Sequence, residues 1–215
     1  MKISTFTAGP FGENGYLAIC PSGHAVAIDP GAGAPRMVAV LQEEGAELAA
    51  ILLTHAHLDH LDGVARVRRH APAPIWLHPA DRPLYDSVAQ QAAAFGLEVE
   101  PPPPPDESFA HGQTFRFGEC ALEVRHAPGH APGHVILYAR EQGLAFVGDV
   151  VFQGSIGRTD LPGGDFRELM RSIREQVLTL PDETRLLTGH GPETTVGWER
   201  TGNPFLVPHY GGELA

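Results

Sequence analysis

The sequence predicts an α/β protein in which two β-sheets pack face to face and helices cover their outer surfaces. Each half of the chain opens with hairpin-like strands and continues with strand–helix units, and a run of five prolines at residues 101–105 separates the halves. The 215 residues are enough to bury a sizeable core. Since neither half obviously stands alone, we expect one domain over residues 1–215.

In the first half, apolar runs of strand length are separated by turn residues and amphipathic segments. The predicted strands cover residues 3–7, 16–20, 25–28, 49–54 and 75–77. The predicted helices cover residues 35–44, 61–70 and 83–95. Gly45 and Gly96 follow two of these helices, and glycine commonly ends a helix because it adopts the left-handed conformation at no steric cost.

The second half begins after the proline run, which favours a rigid, extended surface connection. Strands are predicted at residues 114–117, 121–125, 135–139, 144–147 and 185–188. Helices are predicted at residues 166–178 and 194–201. Asp165 is a candidate N-cap, because its carboxylate can accept a hydrogen bond from the first turn of the following helix.

Composition and charge exclude several classes of protein. The net charge is −11, and an acidic chain repels phosphate backbones and anionic lipids, so we expect neither a nucleic-acid partner nor a membrane partner. The start, MKISTFTAGP, lacks the apolar run of a signal peptide. Cys20 and Cys120 are expected to form neither a metal-ligand pair nor a disulfide framework. A cytoplasmic location is therefore expected.

Histidine is concentrated in short segments, and the first is THAHLDH at residues 54–60, directly after a predicted strand. His55 and His57 are two residues apart, so in extended backbone their imidazoles point to one side and can converge on one ion. Asp59 and His60 follow where the chain turns into a helix and can point toward a second ion. The spacing differs from the HExxH pattern of zinc proteases, whose histidines lie four apart.

Three further groups follow strands later in the chain. His130 and His134 lie in PGHAPGH, Asp149 follows a glycine, and His190 lies between two glycines. One such residue would be typical of a turn, but four ligand-type groups in one chain indicate a metal site. Imidazole and carboxylate ligands without thiolates suit zinc, iron or manganese, and zinc is the expected metal. Five further histidines lack ligand-type neighbours and are expected at the surface or in turns: His24, His70, His78, His111 and His209. His126, four residues before His130, is also expected to be structural.

The motifs THAHLDH, PGH, GD and GHG, in this order, resemble those of the metallo-β-lactamase superfamily along nearly the whole chain. Within it, PGHAPGH and the segment GRTD at residues 157–160 resemble the short, single-domain branch of the glyoxalase II-like hydroxyacylglutathione hydrolases. The resemblance implies an αββα four-layer sandwich and two divalent metal ions. It implies that one ion is held by His55, His57 and His130, the other by Asp59, His60 and His190, and that Asp149 bridges them.

The resemblance also implies hydrolysis of a small thioester, such as a hydroxyacylglutathione, with a hydroxide between the two ions as the nucleophile. The absence of a GxSxG motif agrees with this. Asp59 would orient the hydroxide, and His134 would orient a ligand or a substrate group. Arg158 occupies the place of a basic residue that contacts the glutathione carboxylate in this family, or it pairs with Asp160 or Asp165. The acyl group and the oligomeric state stay open.

The alternative function is an iron-dependent persulfide dioxygenase on the same fold, which also carries a GRTD-like segment. It would need only two histidines and one carboxylate. His55 or His57, with His130 and Asp149, could supply them. Two features favour the hydrolase: His134 stands where those dioxygenases typically have cysteine, and His190 lies in GHG.

Overall fold

The computed structural model describes residues 1–207, so the last eight residues of the predicted domain, including His209, lie outside the described residues. The strands of the first half are β1 Lys2–Ala8, β2 Glu13–Ile19, β3 His24–Ile28, β4 Glu47–Leu52, β5 Ile75–Leu77 and β6 Glu107–Ser108. They form one sheet in chain order. The pairs from β1 to β3 are antiparallel and those from β3 to β6 are parallel.

The strands of the second half are β7 Thr114–Phe117, β8 Cys120–His126, β9 Val135–Ala139, β10 Leu144–Gly148, β11 Val151–Phe152, β12 Ser155–Ile156, β13 Arg185–Thr188 and β14 Thr194–Thr195. Six of them form a second sheet in the order β14-β13-β10-β9-β8-β7, and β11 pairs with β12 as a separate hairpin. The β10–β13 pair is parallel, and the other pairs of this sheet are antiparallel.

The α-helices are α1 Ala34–Glu43, α2 Leu58–Leu61, α3 Val64–His70, α4 Arg82–Asp86, α5 Val88–Ala94, α6 Phe166–Ser172 and α7 Val196–Gly202. Among the residues that the structure describes, no helix is both long enough and apolar enough to cross a membrane.

Alternate residues of the central strands belong to different apolar layers, as the two-residue period of a strand requires. In β4, Ala50 and Leu52 lie between the two sheets, whereas Ile51 packs toward α1 and α3. In β9, Leu137 lies between the sheets, and Ile136 packs in the layer that contains α6. The layers thus follow the order helices, first sheet, second sheet, helices, with an apolar layer between each neighbouring pair. This order confirms the predicted αββα sandwich.

Two predicted helices are each divided into two. The predicted helix 61–70 is interrupted at Gly63, where a Cβ atom would overlap the carbonyl oxygens of Pro30 and Gly31. This close approach requires glycine and ends α2. The predicted helix 83–95 is interrupted at Ser87, whose hydroxyl donates to the carbonyl of Leu84, 2.9 Å away.

The predicted helix 166–178 is α-helical only as far as Ser172, and residues Ile173–Val177 form a π-helical turn. Its predicted start is confirmed, because the Asp165 carboxylate accepts a hydrogen bond of 2.9 Å from the backbone N–H of Glu168.

Cys20 and Cys120 form a disulfide with a Cα–Cα distance of 6.0 Å, so the expectation that they do not pair is wrong. Cys20 directly follows β2 and Cys120 begins β8, and the bond therefore ties the first sheet to the second. Disulfides are rare in cytosolic proteins of mesophiles. The cytoplasmic location stays a prediction, and this bond does not favour it.

The loops after β4, β8, β10 and β13 carry the four histidine and aspartate motifs. Because β8 and β10 both pair antiparallel with β9, their carboxyl ends lie at the same edge of the second sheet. The parallel neighbour β13 ends there too. The loop after β4 reaches this edge: the backbone N–H of Val135, at the start of β9, donates to the carbonyl of Thr54.

Candidate metal centre

Among the described residues, three groups of three side chains offer ligand atoms within 4.8 Å of one another, and one of them, Asp29, His55 and His60, shares its histidines with the other two. The first ligand group is His55, His57 and His130, and the second is Asp59, His60 and His190. Their atoms converge closely: His57 Nδ1 lies 2.8 Å from His130 Nε2, and His190 Nε2 lies 3.2 Å from Asp59 Oδ2. The structure thus brings together the residues that the motifs indicated.

Asp149 lies between the two ligand groups. Its Oδ2 is 3.5 Å from Nε2 of His130 and 3.5 Å from Nε2 of His190, and its Oδ1 is 3.4 Å from Nε2 of His60. The approach of β13 to this carboxylate is close, since a Cβ atom at Gly189 would overlap Asp149 Oδ1. The carboxylate can therefore contact an ion in either group.

Backbone carbonyl groups orient one imidazole in each ligand group. His130 Nδ1 lies 2.8 Å from the carbonyl oxygen of Arg158, and His190 Nδ1 lies 3.1 Å from that of Phe11. Because a carbonyl only accepts, Nδ1 carries the proton in each ring. Nε2 is then the atom that faces Asp149 and can ligate an ion.

Asp29 and Thr54 support two further imidazoles from behind. The Asp29 carboxylate accepts hydrogen bonds from the Thr54 backbone N–H at 2.7 Å and from its hydroxyl at 2.6 Å, and lies 3.2 Å from His60 Nδ1. Thr54 Oγ1 in turn lies 3.1 Å from His55 Nδ1. These contacts also leave Nε2 of each ring toward the centre.

His134, which is not in either ligand group, lies against both. Its Nε2 accepts a hydrogen bond of 3.0 Å from the backbone N–H of Asp149, and its ring stacks on His55 with centroids 4.7 Å apart. Burial holds the pKa of His134 well below its usual value, so the ring is neutral and can accept this bond.

The first ligand group is in the protonation state that metal binding needs. Burial lowers the pKa of His57 to about 3, and it also lowers those of His55 and His130. Neutral imidazole is the form that ligates a metal.

The carboxylates of the second ligand group favour the protonated form of its imidazoles. Burial opposes the charge on His190, but hydrogen bonds to Asp149 and Asp59 raise its pKa to about 10. The pKa of His60 is likewise raised well above its usual value, because Asp59 and Asp149 outweigh the effect of burial. A divalent ion would displace these protons, so binding there should depend on pH.

Several buried polar atoms at this centre make no hydrogen bond to any described residue. Among the ligand atoms they include His55 Nε2, His60 Nε2 and Asp149 Oδ1, and His57 Nε2, His60 Nδ1 and His134 Nδ1 are unpaired as well. Buried polar atoms are normally paired, because leaving them unpaired costs ~1–3 kcal/mol each. Nitrogen and carboxylate oxygen atoms that converge in this way fit divalent ions of the zinc and iron class.

The sequence motifs did not reveal two buried residues that hold the ligand loops. Asn14, in β2, donates from Nδ2 to the carbonyls of Thr188 at 3.0 Å and Gly191 at 2.8 Å, on either side of His190. Nothing in the local sequence marks this role, since the partners lie more than 170 residues away.

Asp81 is the second of these residues. Its carboxylate is fully buried and accepts hydrogen bonds from the backbone N–H groups of Ala56 and Gly133. Ala56 lies between two histidines of the first motif, and Gly133 lies in PGHAPGH. Asp81 therefore ties two ligand loops together, and burial raises its pKa to about 6.

The remaining histidines that the structure describes lie outside both ligand groups, as expected. They are exposed or half-buried: His24, His70, His78, His111 and His126.

A cavity of about 350 Å³ opens beside both ligand groups. Apart from those groups and Asp149, its lining is mostly apolar: Phe11, Leu58, Gln91, Phe95, Phe152, Ser155, Ile156, Arg158 and Leu161. The guanidinium of Arg158 is paired with Asp160, at 2.6 Å from Nε and 2.7 Å from Nη2. Of the partners that the sequence left open for Arg158, the structure shows Asp160, and Arg158 itself lines the cavity.

Comparison with known proteins agrees with this geometry. A model of the metallo-beta-lactamase superfamily matches residues 8–190. The hydroxyacylglutathione hydrolase GloC of Haemophilus influenzae is 38% identical over 208 residues, which cover 96% of this chain and 98% of GloC.

Two solved structures share the whole architecture. The B3 metallo-beta-lactamase BLEG-1 superposes with a TM-score of 0.90 at 37% identity, covering 96% of this chain and 100% of that one. TTHA1623, solved in a di-iron-bound form, superposes with a TM-score of 0.87 at 44% identity, covering 94% of this chain and 100% of that one.

Proposed function

The chain belongs to the metallo-beta-lactamase superfamily, and on that premise we propose that it hydrolyses thioesters, with glutathione thioesters such as hydroxyacylglutathione as the example, at a centre of two metal ions. One observation carries the proposal: Asp149 lies between two complete groups of three ligands, with an oxygen facing each. The hydroxyacylglutathione hydrolase GloC, similar over nearly its whole length, supports the reaction class.

In this proposal His55, His57 and His130 would hold one ion, Asp59, His60 and His190 would hold the other, and Asp149 would serve both. When bound, the ions activate a water molecule as the nucleophile and polarise the substrate carbonyl. Zinc is the metal we propose, with iron or manganese as alternatives. The di-iron form of TTHA1623 supports iron as an occupant of such a site.

The side chains of this centre have separate tasks in the reaction. Asp59, whose Oδ2 lies toward His190, accepts a hydrogen bond from the attacking water and orients it. The carbonyls behind His130 and His190 keep both rings in the ligating tautomer. A thiolate can leave without being protonated, so the reaction needs no separate general acid. This agrees with the cavity, because both acidic side chains that line it, Asp59 and Asp149, belong to the metal centre.

Thioester hydrolysis and oxygen consumption on the purified protein test the function directly. We expect release of glutathione from S-D-lactoylglutathione or another glutathione thioester, and no oxygen uptake with glutathione persulfide. Oxygen uptake with the persulfide and no thioester hydrolysis would support the dioxygenase instead. Hydrolysis of a β-lactam alone would point to the activity for which BLEG-1 is named.

Arg158→Ala should raise KM for glutathione thioesters about tenfold and leave kcat nearly unchanged. A contact far from the scissile bond stabilises ground and transition states equally, so its loss appears in KM. A charge-assisted hydrogen bond is worth roughly 1.5–3 kcal/mol, and we expect the lower end because Asp160 competes for the guanidinium.

Asp160→Asn is the matched control, since it removes that competition and should lower KM. Steady-state kinetics of the two variants test the assignment. A fall in kcat for Arg158→Ala, with KM unchanged, would show that the arginine supports the loop around His130 and does not bind substrate.

A further inference from the structure

Two exposed phenylalanine rings line the cavity beside the metal centre. Phe11, in the turn between β1 and β2, is 38% exposed, and Phe95, at the end of α5, is 54% exposed. The rings meet edge to face, with centroids 5.1 Å apart and planes at 78°. Exposed aromatic surface on the wall of a cavity is typical of a ligand-binding surface.

The backbone fixes Phe11 relative to the second ligand group. Its carbonyl oxygen lies 3.1 Å from His190 Nδ1, so the residue that carries the ring also orients a ligand. The backbone at Phe11 is therefore tied to His190.

Hydrogen bonds from the side chain of Gln91 tie α5, and with it the backbone of Phe95, to the first motif. Gln91, on α5, accepts a hydrogen bond of 3.0 Å from the backbone N–H of Leu58 and donates one of 3.0 Å to the carbonyl of Ala56. These two residues flank His57. The chain segments that carry both rings are thus anchored beside the centre.

The cavity wall carries little charge outside the metal centre. Among the described residues that line the cavity, Arg158 is the charged side chain outside the metal centre, and Asp160 neutralises it. The carbonyl of Arg158 contacts His130, whereas that of Phe11 contacts His190, so the two residues lie beside different ligand groups. Apart from the metal centre and Arg158, the wall that an acyl chain would meet is mostly apolar.

We propose that this cavity selects thioesters with an apolar, aliphatic acyl group, which packs against Phe11 and Phe95, over thioesters with a small hydroxyacyl group. The inference rests on the proposed thioester hydrolysis and names its substrate class. With the acyl chain at the aromatic pair, the thiol portion of the substrate extends toward Arg158.

Two substrates with one thiol, S-hexanoylglutathione and S-D-lactoylglutathione, test the selection. We expect kcat/KM at least about tenfold higher for the hexanoyl thioester, because burial of two methylene groups already gives such a factor. Phe95→Ala and Phe11→Ala should each lower kcat/KM about tenfold for the hexanoyl substrate and less than about threefold for the lactoyl substrate.

Phe166→Ala is the matched control, because Phe166 is 43% exposed at the start of α6 and does not line the cavity. It should leave kcat/KM for both substrates unchanged. Equal values for the two substrates in the unmodified enzyme, or equal losses on both in the cavity variants, would overturn the inference while leaving thioester hydrolysis intact.

Binding of two thioethers that cannot be hydrolysed separates this inference from the proposed reaction. Calorimetry with the metal-loaded protein should show S-hexylglutathione binding at least about tenfold more tightly than S-methylglutathione, and Phe95→Ala should abolish the difference. This result without any thioester hydrolysis would reject the reaction and retain the apolar selection. Equal affinities, or no binding of S-hexylglutathione, would overturn the inference.

Discussion

Asp149→Ala should lower kcat/KM for thioester hydrolysis by at least about 1,000-fold, which corresponds to ~4 kcal/mol of lost transition-state stabilisation. His190→Ala should lower it only about 10- to 100-fold, or ~1.4–2.7 kcal/mol. The difference follows from geometry: the Asp149 carboxylate faces both ligand groups, whereas His190 belongs to one. Steady-state kinetics together with metal analysis of each variant measure the two effects.

The metal content should follow the same order, with loss of both ions from Asp149→Ala and loss of one from His190→Ala. Asp86→Ala is a suitable control, since this exposed carboxylate on α4 pairs only with Arg82 among the described residues. If His190→Ala abolishes activity while Asp149→Ala retains it, Asp149 does not contact both ions.

Asp29→Asn should lower both the free energy of unfolding and the affinity of the second ligand group for metal. The buried carboxylate accepts two hydrogen bonds from Thr54 and lies beside His60 Nδ1, and an amide can satisfy only part of this set. We expect a loss of ~2–4 kcal/mol in unfolding free energy, since buried donors lose their acceptor.

A residue that orients a ligating histidine typically contributes about 10- to 100-fold in metal affinity, and we expect a loss of that size for the second ion. Denaturant unfolding of the metal-free variant and calorimetric metal titration give the two numbers separately. Asp62→Asn, an exposed carboxylate at the end of α2, should change neither. Unchanged metal affinity in Asp29→Asn would show that His60 is oriented by other contacts.

The parts of the centre that the sequence predicted are those encoded locally. His55 and His57 are two residues apart at the end of a strand, and the strand period alone places them on one side. The continuous apolar runs of β4 and β9 likewise predict strands that are buried on both faces, and hence the layered sandwich.

The parts that the sequence did not predict depend on contacts between distant residues. Asn14 and Asp81 hold ligand loops through backbone groups far away along the chain, and no local pattern marks either residue. The disulfide joins cysteines 100 residues apart. The strands β6, β11, β12 and β14 have two residues each, which is too short for a two-residue period to be read.

Local patterns also misplaced helix ends where tertiary contacts decide them. The helical pattern continues through residues 61–70, yet Gly63 packs against the loop before α1 and divides the helix. The aromatic pair of Phe11 and Phe95 is a similar case, since its residues lie in a turn and at a helix end and meet only through the fold.

Titration of the metal-depleted protein with Zn²⁺, followed by thioester hydrolysis, tests the central claim of a two-ion hydrolase most directly. Two ligand groups of three, with Asp149 between them, offer too many ligands for one ion. We predict that the hydrolysis rate rises until about two equivalents of metal have bound per chain. A rate that reaches its plateau at one equivalent, with no further metal bound, would contradict the two-ion centre.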